Sequence, residues 1–188
     1  RAYRERLLRA AFPGADAART DGPEIDYVGR GGERPPLRAA LKEDQIVWSR
    51  APVRFDLAGG WTDTPPYTLR EGGRVVNLAV DLNGQPPIQV FLRRTPERHV
   101  RVHSIDLGHT ETFARFEELR DYRDPRSNFA LPKAALCLVG LDGAQGGTLG
   151  EALDGLGCGL EMTLLCAVPK GSGLGTSSVL AGAILAGL

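Results

Sequence analysis

The sequence predicts an α+β fold, with a mostly antiparallel sheet carrying helices on one face. Three observations predict it. Strand-like runs fill residues 46–116, a segment with helical apolar spacing follows at 128–141, and the chain then passes through one apolar strand into a glycine loop and an apolar helix. Strands grouped ahead of helices argue against a regular βαβ alternation.

The elements are read in order. "RAYRERLLRAAF" carries a short amphipathic helix pattern, with Leu7, Leu8, Ala11 and Phe12 apolar. Residues 13–44 are rich in Gly, Pro, Arg and Asp, so 1–44 reads as a lead-in, a linker or the end of an upstream domain. The domain proper is expected at 45–188.

"IVWSRAPVRFDLAGG" is extended, with Val53, Phe55 and Leu57 facing one way and Arg54 and Asp56 the other. "GGWTDTPPY" is a tight loop of Gly, Asp and two prolines. "GGRVVNLAVDLNG" and "PPIQVFLRRT" read as two strands separated by a turn at Asn83-Gly84, and "HVRVHSIDL" with "TETFARF" as a further pair. "NFALPKAALCLVGL" is a helix with Pro132 in its first turn. "GLEMTLLCAVP" is a central strand. The sum is one helix between the strand region and the closing strand, loop and helix.

Bulk properties narrow the partners. The 188 residues carry 23 Lys plus Arg and 23 Asp plus Glu, so no overall field draws the chain to nucleic acid or an anionic membrane. A small ligand is the natural expectation. Cys137, Cys158 and Cys166 lie in apolar surroundings without CxxC spacing and read as buried thiols of a reducing compartment. The sequence shows no signal-peptide core and no apolar run near the ~20 residues of a membrane span; a cytoplasmic location is expected. His99, His103 and His109 have no metal-site spacing. The locally basic "FLRRTPERHVRVH" reads as an ordinary exposed strand pair.

The chemistry concentrates at the end, in "PKGSGLGTSSVLAGAILAGL". Pro169 stops the strand, Gly171, Gly173 and Gly175 remove side chains, and Thr176, Ser177 and Ser178 lead into a helix. Such a loop turns backbone N–H groups onto an anion at a helix N-terminus, and phosphate is the obvious guest. Ser177 or Ser178 would cap the helix or offer a hydroxyl to a metal accompanying the phosphates. The loop fits neither GxxxxGK[ST] nor GxGxxG. A plain strand-to-helix turn is the alternative. The helix behind it, with Val179, Leu180, Ile184, Leu185 and Leu188 and no charged face, is expected to lie within a core continued by further chain.

"PKGSGLGTSS" resembles the second motif of the GHMP small-molecule kinases, and "APVRFDLAGGWTDTPP" resembles their first. The two stand in the family order about a hundred residues apart, a far more specific match than either alone. The stretch 50–90, with Gly59-Gly60-Trp61-Thr62-Asp63 inside it, is similar to the fucokinase type, including fucokinases fused to a GDP-fucose pyrophosphorylase. Heptose 7-phosphate kinases are near neighbours that typically carry a third glycine where Trp61 stands.

The resemblance implies the N-terminal domain of that family, of the ribosomal protein S5 domain 2 type, truncated before its C-terminal lobe. It implies an enzyme that uses ATP and Mg²⁺ to phosphorylate a sugar, L-fucose giving fucose 1-phosphate. Gly171, Ser172, Gly173, Leu174, Gly175, Thr176, Ser177 and Ser178 would hold the phosphates, with Ser177 and Ser178 as hydroxyl ligands of Mg²⁺. Arg54 would stabilise transferring charge, or pair with Asp56. Asp63, Trp61, Gly60 and Gly59 would bind sugar; a turn cap at Asp63 and a buried plug at Trp61 are the structural alternatives. The family's catalytic aspartate is expected beyond Leu188, so the 188 residues alone would be inactive. A heptose phosphate kinase and a non-catalytic nucleotide- or sugar-binding fragment are the other readings.

Overall fold

The computed structural model describes residues 37–124 and 126–188; the amphipathic pattern at Leu7 to Phe12 and most of the expected lead-in lie outside them. The described chain divides into two compact units, one formed by residues 55–78 and the other by 37–54 with 79–188.

The larger unit is built on a five-stranded sheet. Strands β1 (Ile46–Ala51) and β2 (Val53–Ala58) are separated by Pro52, which has no N–H to continue a ladder. After β3 (Val76–Val80) come β4 (Ile88–Thr95), β5 (Val100–Ser104), β6 (His109–Phe113) and β7 (Gly159–Cys166). The sheet order is β1-β4-β7-β5-β6. All neighbours are antiparallel except β5 and β7, whose parallel register sets Val102 beside Met162. The apolar segment predicted to be central is the middle strand.

Alternation fixes which face is covered. Ile88, Val90 and Leu92 of β4, Val100 and Val102 of β5, and Met162 and Leu164 of β7 are buried on the same side. Each such side chain contributes about 1.5–3 kcal/mol when fully removed from water. On the other face Trp48 stacks on Phe91 with ring centroids 5.7 Å apart, and the Arg50 guanidinium lies 4.6 Å from the Trp48 ring. The Arg93 guanidinium reaches the Glu161 carboxylate there, with Nε donating over 2.6 Å.

Five α-helices are found among the described residues, more than the sequence reading expected: α1 (Tyr67–Glu71), α2 (Phe116–Arg120), α3 (Ala130–Leu138), α4 (Leu149–Leu156) and α5 (Thr176–Gly187). Helix α3 carries Pro132 in its first turn as predicted. The short helices escaped the periodicity because they hold little more than two turns at most, yet α4 announces itself by its caps. Thr148 Oγ1 accepts from the Glu151 amide, Glu151 accepts from the Thr148 amide at 2.7 Å, and Gly157 closes the helix at φ 77°. Lys133 of α3 is buried, and its ammonium donates to Asp121 at 2.8 Å and lies 3.6 Å from Glu111.

The Asn83-Gly84 turn forms with φ 51° and 72°, the left-handed pair of a type I′ turn, and closes a single bridge between Leu82 and Gln85. The strands flanking it do not pair with each other. Pro86 and Pro87 follow the turn, and β3 pairs with β2 while β4 joins β1 and β7. In the β2–β3 ribbon Phe55, Leu57, Val76 and Leu78 remain about half exposed, so the apolar face predicted for β2 is covered only at Val53. Helix α5 buries Ala183 and Ile184, but Leu185 and Leu188 stay partly exposed, so its expected enclosure on all sides is not found among the described residues.

Gly159 opens β7 where an added Cβ would lie 1.9 Å from the Glu97 carbonyl oxygen and 2.6 Å from that of His99. Gly155, on α4, has open space around it. Gly159→Ala should therefore destabilise the protein by about 2–4 kcal/mol in urea unfolding, whereas Gly155→Ala should leave it unchanged or up to about 1 kcal/mol more stable.

Candidate active-site loops

The glycine loop leaves β7 through Ala167, whose N–H donates to the Pro87 carbonyl at 2.9 Å and ties the strand end to the start of β4. Gly171, Gly173 and Gly175 all take left-handed backbone, at φ 76°, 75° and 68°. An L-residue with a Cβ pays roughly 1–2 kcal/mol there, so the alternating glycines are a requirement of the path. Open space surrounds the Cβ positions of Gly171 and Gly173. Both glycines are exposed.

Gly175 is the N-cap of α5 and supplies no side-chain cap. Ser177 and Ser178 stand within the first turn, which corrects the expectation that one of them caps the helix. The first-turn amides thus retain their donors without intrahelical partners, at the positive end of a twelve-residue helix. Thr176 Oγ1 is buried without a hydrogen-bond partner, an orphaned donor in the same turn. This donor set fits phosphate oxygens. Mg²⁺ fits as well, because Ser177 and Ser178 are exposed and a hydroxyl suits an ion that takes phosphate oxygens and water as its other ligands. Among the described residues no cluster of three or more His, Cys, Asp or Glu forms a separate metal site.

Arg54 is fixed to this loop. Its N–H donates to the Leu174 carbonyl at 3.2 Å, and a Cβ on Gly175 would stand 3.7 Å from Arg54 Nε. The guanidinium stem therefore runs beside the last glycine, next to the uncapped helix end.

The second loop belongs to the smaller unit. Residues 59–64 form two overlapping turns, with the Thr62 amide donating to Gly59 at 3.0 Å and the Thr64 amide to Trp61 at 3.1 Å. Gly59 lies at φ 74°, and a Cβ on it would stand 2.0 Å from the Arg74 carbonyl oxygen. Gly60 lies beside Asp56, whose carboxylate would be 3.4 Å from an added Cβ. Trp61 has φ 71° and is 81% exposed, which excludes the buried-plug alternative. Asp63 is exposed, and among the described residues its carboxylate accepts only a long hydrogen bond, 3.5 Å from Thr64 Oγ1. Its oxygens are open to hydroxyl donors.

The three thiols are free. Cys166, at the end of β7, has its thiol pushed up to about 11 by burial, with the Asp106 carboxylate adding to the rise and Lys170 opposing it. His103 Nδ1 meets Thr110 Oγ1 at 2.7 Å, and His109 stacks on Phe129 with Nε2 3.2 Å from Glu111, so these histidines are engaged in strand contacts.

A glycine-lined strand-to-helix loop on a mixed sheet of this topology is the N-terminal part of the GHMP kinase fold. A D-glycero-D-manno-heptose 1-phosphate kinase from Bacteroides thetaiotaomicron superposes with TM-score 0.53 at 21% identity, over 75% of this chain and 40% of the other. Lactococcus lactis galactokinase, solved with galactose, gives TM-score 0.50 at 20% identity over 76% and 32%. In sequence the chain is similar to part of two longer proteins. It is 54% identical over 146 residues, 76% of its length, to an L-fucokinase/L-fucose-1-P guanylyltransferase of Bacteroides fragilis, and 36% identical over 140 residues to a bifunctional fucokinase/GDP-fucose pyrophosphorylase of Arabidopsis thaliana. The chain spans 15% and 12% of the lengths of these two relatives. No family model matches it.

Two outcomes are expected. Gly173→Val, which forces a β-branched residue into left-handed backbone in the loop, should weaken nucleotide binding by at least tenfold in calorimetry. The Cys166 thiol, with about one in a thousand molecules ionised at pH 8, should alkylate far more slowly than a free thiol and accelerate as pH rises toward 11.

Proposed function

We propose that the protein containing this chain transfers the γ-phosphate of ATP to the anomeric hydroxyl of L-fucose, giving fucose 1-phosphate. The observation that carries this reading is the anchoring of Arg54 to the glycine loop, by a backbone hydrogen bond to Leu174 that sets the Arg54 side chain beside Gly175. Phosphoryl transfer asks for positioning and charge neutralisation, and a guanidinium held beside an uncapped helix N-terminus supplies both. Gly171, Ser172, Gly173, Leu174, Gly175 and Thr176 bind phosphate through the backbone, with Ser177 and Ser178 reaching Mg²⁺. The metal, when bound, neutralises phosphate charge.

The choice of sugar is supported by the printed activity of both sequence relatives. The exposed Trp61 ring is an apolar surface suited to the methyl group of a 6-deoxysugar, and Asp63 accepts from sugar hydroxyls. Gly60, exposed beside them, adds no side chain. The names of the relatives also support a GDP-fucose pyrophosphorylase activity on the same polypeptide, which would consume the product. A cytoplasmic location, where ATP is supplied, belongs to the proposal.

The test is ATP-dependent phosphorylation of L-fucose by the full-length protein, beside D-galactose, D-mannose and a heptose 7-phosphate. Selective transfer to fucose is expected; transfer only to the heptose moves the substrate, and no transfer at all favours a binding protein. In that protein Arg54→Ala should lower kcat by about 10²–10³ with a smaller change in KM, since the charge it meets develops in the transition state. The isolated 188 residues should turn over ATP no faster than buffer with fucose and Mg²⁺ present.

A further inference from the structure

We infer that Thr62 is the positioning residue of the sugar loop, a role that rests on the proposed reading of Trp61 and Asp63 as sugar contacts. Thr62 is the partly buried residue between those two exposed neighbours, and all of its polar groups are engaged. Its hydroxyl lies 2.7 Å from the Gly59 carbonyl and 3.0 Å from the Arg74 carbonyl, the two acceptors for its proton, and it accepts from the Arg74 amide at 3.1 Å. Its own amide donates to Gly59 at 3.0 Å, and its carbonyl accepts from Thr68 Oγ1 at 3.0 Å.

One residue thereby joins three pieces of chain: its side chain ties the turn at Gly59 to the entry to β3 at Arg74, and its carbonyl holds helix α1 through the Thr68 hydroxyl. The pieces touch directly. A Cβ on Gly73 would lie 2.5 Å from the Thr62 carbonyl oxygen and 2.6 Å from Asp63 Cα. Trp61 is held in left-handed backbone, which a bulky L-residue leaves unless its surroundings over-determine it. The hydrogen bonds of Thr62 supply that restraint from the adjacent position, and the same restraint orients the Asp63 backbone on the other side. Serine preserves the hydroxyl. Valine keeps the shape and removes the hydroxyl from the Arg74 amide and carbonyl, while the Gly59 carbonyl keeps the Thr62 amide.

The experiment compares Thr62→Val and Thr62→Ser in the full-length protein by two independent readouts. Amide hydrogen exchange at Arg74 should accelerate at least tenfold in Thr62→Val and stay within threefold of the parent in Thr62→Ser. In the kinase assay Thr62→Val should raise KM for L-fucose at least tenfold with KM for ATP within threefold, and Thr62→Ser should restore the parent value. Unchanged exchange at Arg74 in Thr62→Val, or equal loss of fucose KM in both variants, overturns the inference. If the parent phosphorylates no sugar, the proposed function fails, and the exchange result with an exposed-loop contrast at Trp61 and Asp63 still decides whether Thr62 holds the loop. Global unfolding of Thr62→Val is recognised by faster exchange in β4 and β7, and in that case the Thr62→Ala and Thr62→Ser pair carries the same comparison.

Discussion

Strand β7 is hydrogen-bonded along both edges, and the position of the glycine loop follows from that. Its eight residues pair antiparallel with all of β4, while its first half and middle run parallel to β5. A strand clamped in this way has no freedom to slide, because a shift of one residue would turn Met162 and Leu164 out of the core and Glu161 and Thr163 into it. The last pair, Ile88 with Cys166, and the bond from the Ala167 amide to Pro87 carry that register to the point where the loop begins. A second tie comes from Asp106, whose Oδ1 accepts from the Cys166 amide at 3.1 Å and from Ser104 Oγ at 3.0 Å. The loop is free to be irregular because the strand that delivers it is not.

Beyond β7 the physics changes from packing to backbone geometry. Three of the five residues 171–175 are left-handed glycines, and a glycine N-cap leaves the first-turn amides of α5 without a side-chain cap. An ordinary helix start would have placed Ser, Thr, Asp or Asn at this position and satisfied one of those donors. Glycine in their place costs only about a few tenths of a kcal/mol and leaves the first-turn donors without a side-chain partner. Helix α5 can bear the loss since Ala183 and Ile184 are buried against the same core that β4 and β7 build.

The smaller unit solves a different problem. A two-stranded ribbon with a short helix has little core of its own, and its apolar residues Phe55, Leu57, Val76 and Leu78 are about half exposed. Its loop is shaped instead by hydrogen bonds and by close backbone contact at Gly59 and Gly73, positions where a Cβ would stand 2.0 Å and 2.5 Å from a carbonyl oxygen. Order in residues 59–64 therefore comes from a polar knot around Thr62, with the residues on either side exposed.

The sequence by itself determined the fold class, the central strand, the β5–β6 hairpin, the first-turn proline of α3 and the two glycine loops, because period-2 alternation and glycine spacing are local properties of the chain. It also carried the Thr148-x-x-Glu151 box that starts α4, a signal hidden by the brevity of that helix. Tertiary structure alone decided the rest. The Asn83-Gly84 turn is legible, but which partner each flanking strand takes depends on the non-local competition for β4, settled by β1 and β7. Serines after a glycine loop read locally as a cap, while the chain path from β7 places Gly175 there. The attachment of Arg54 to Leu174 joins residues 120 apart in the chain, and the convergence of Gly59, Thr62 and Arg74 spans a helix and a turn. Such contacts have no period to read, since they are fixed by how separate segments are brought together rather than by the spacing within any one of them.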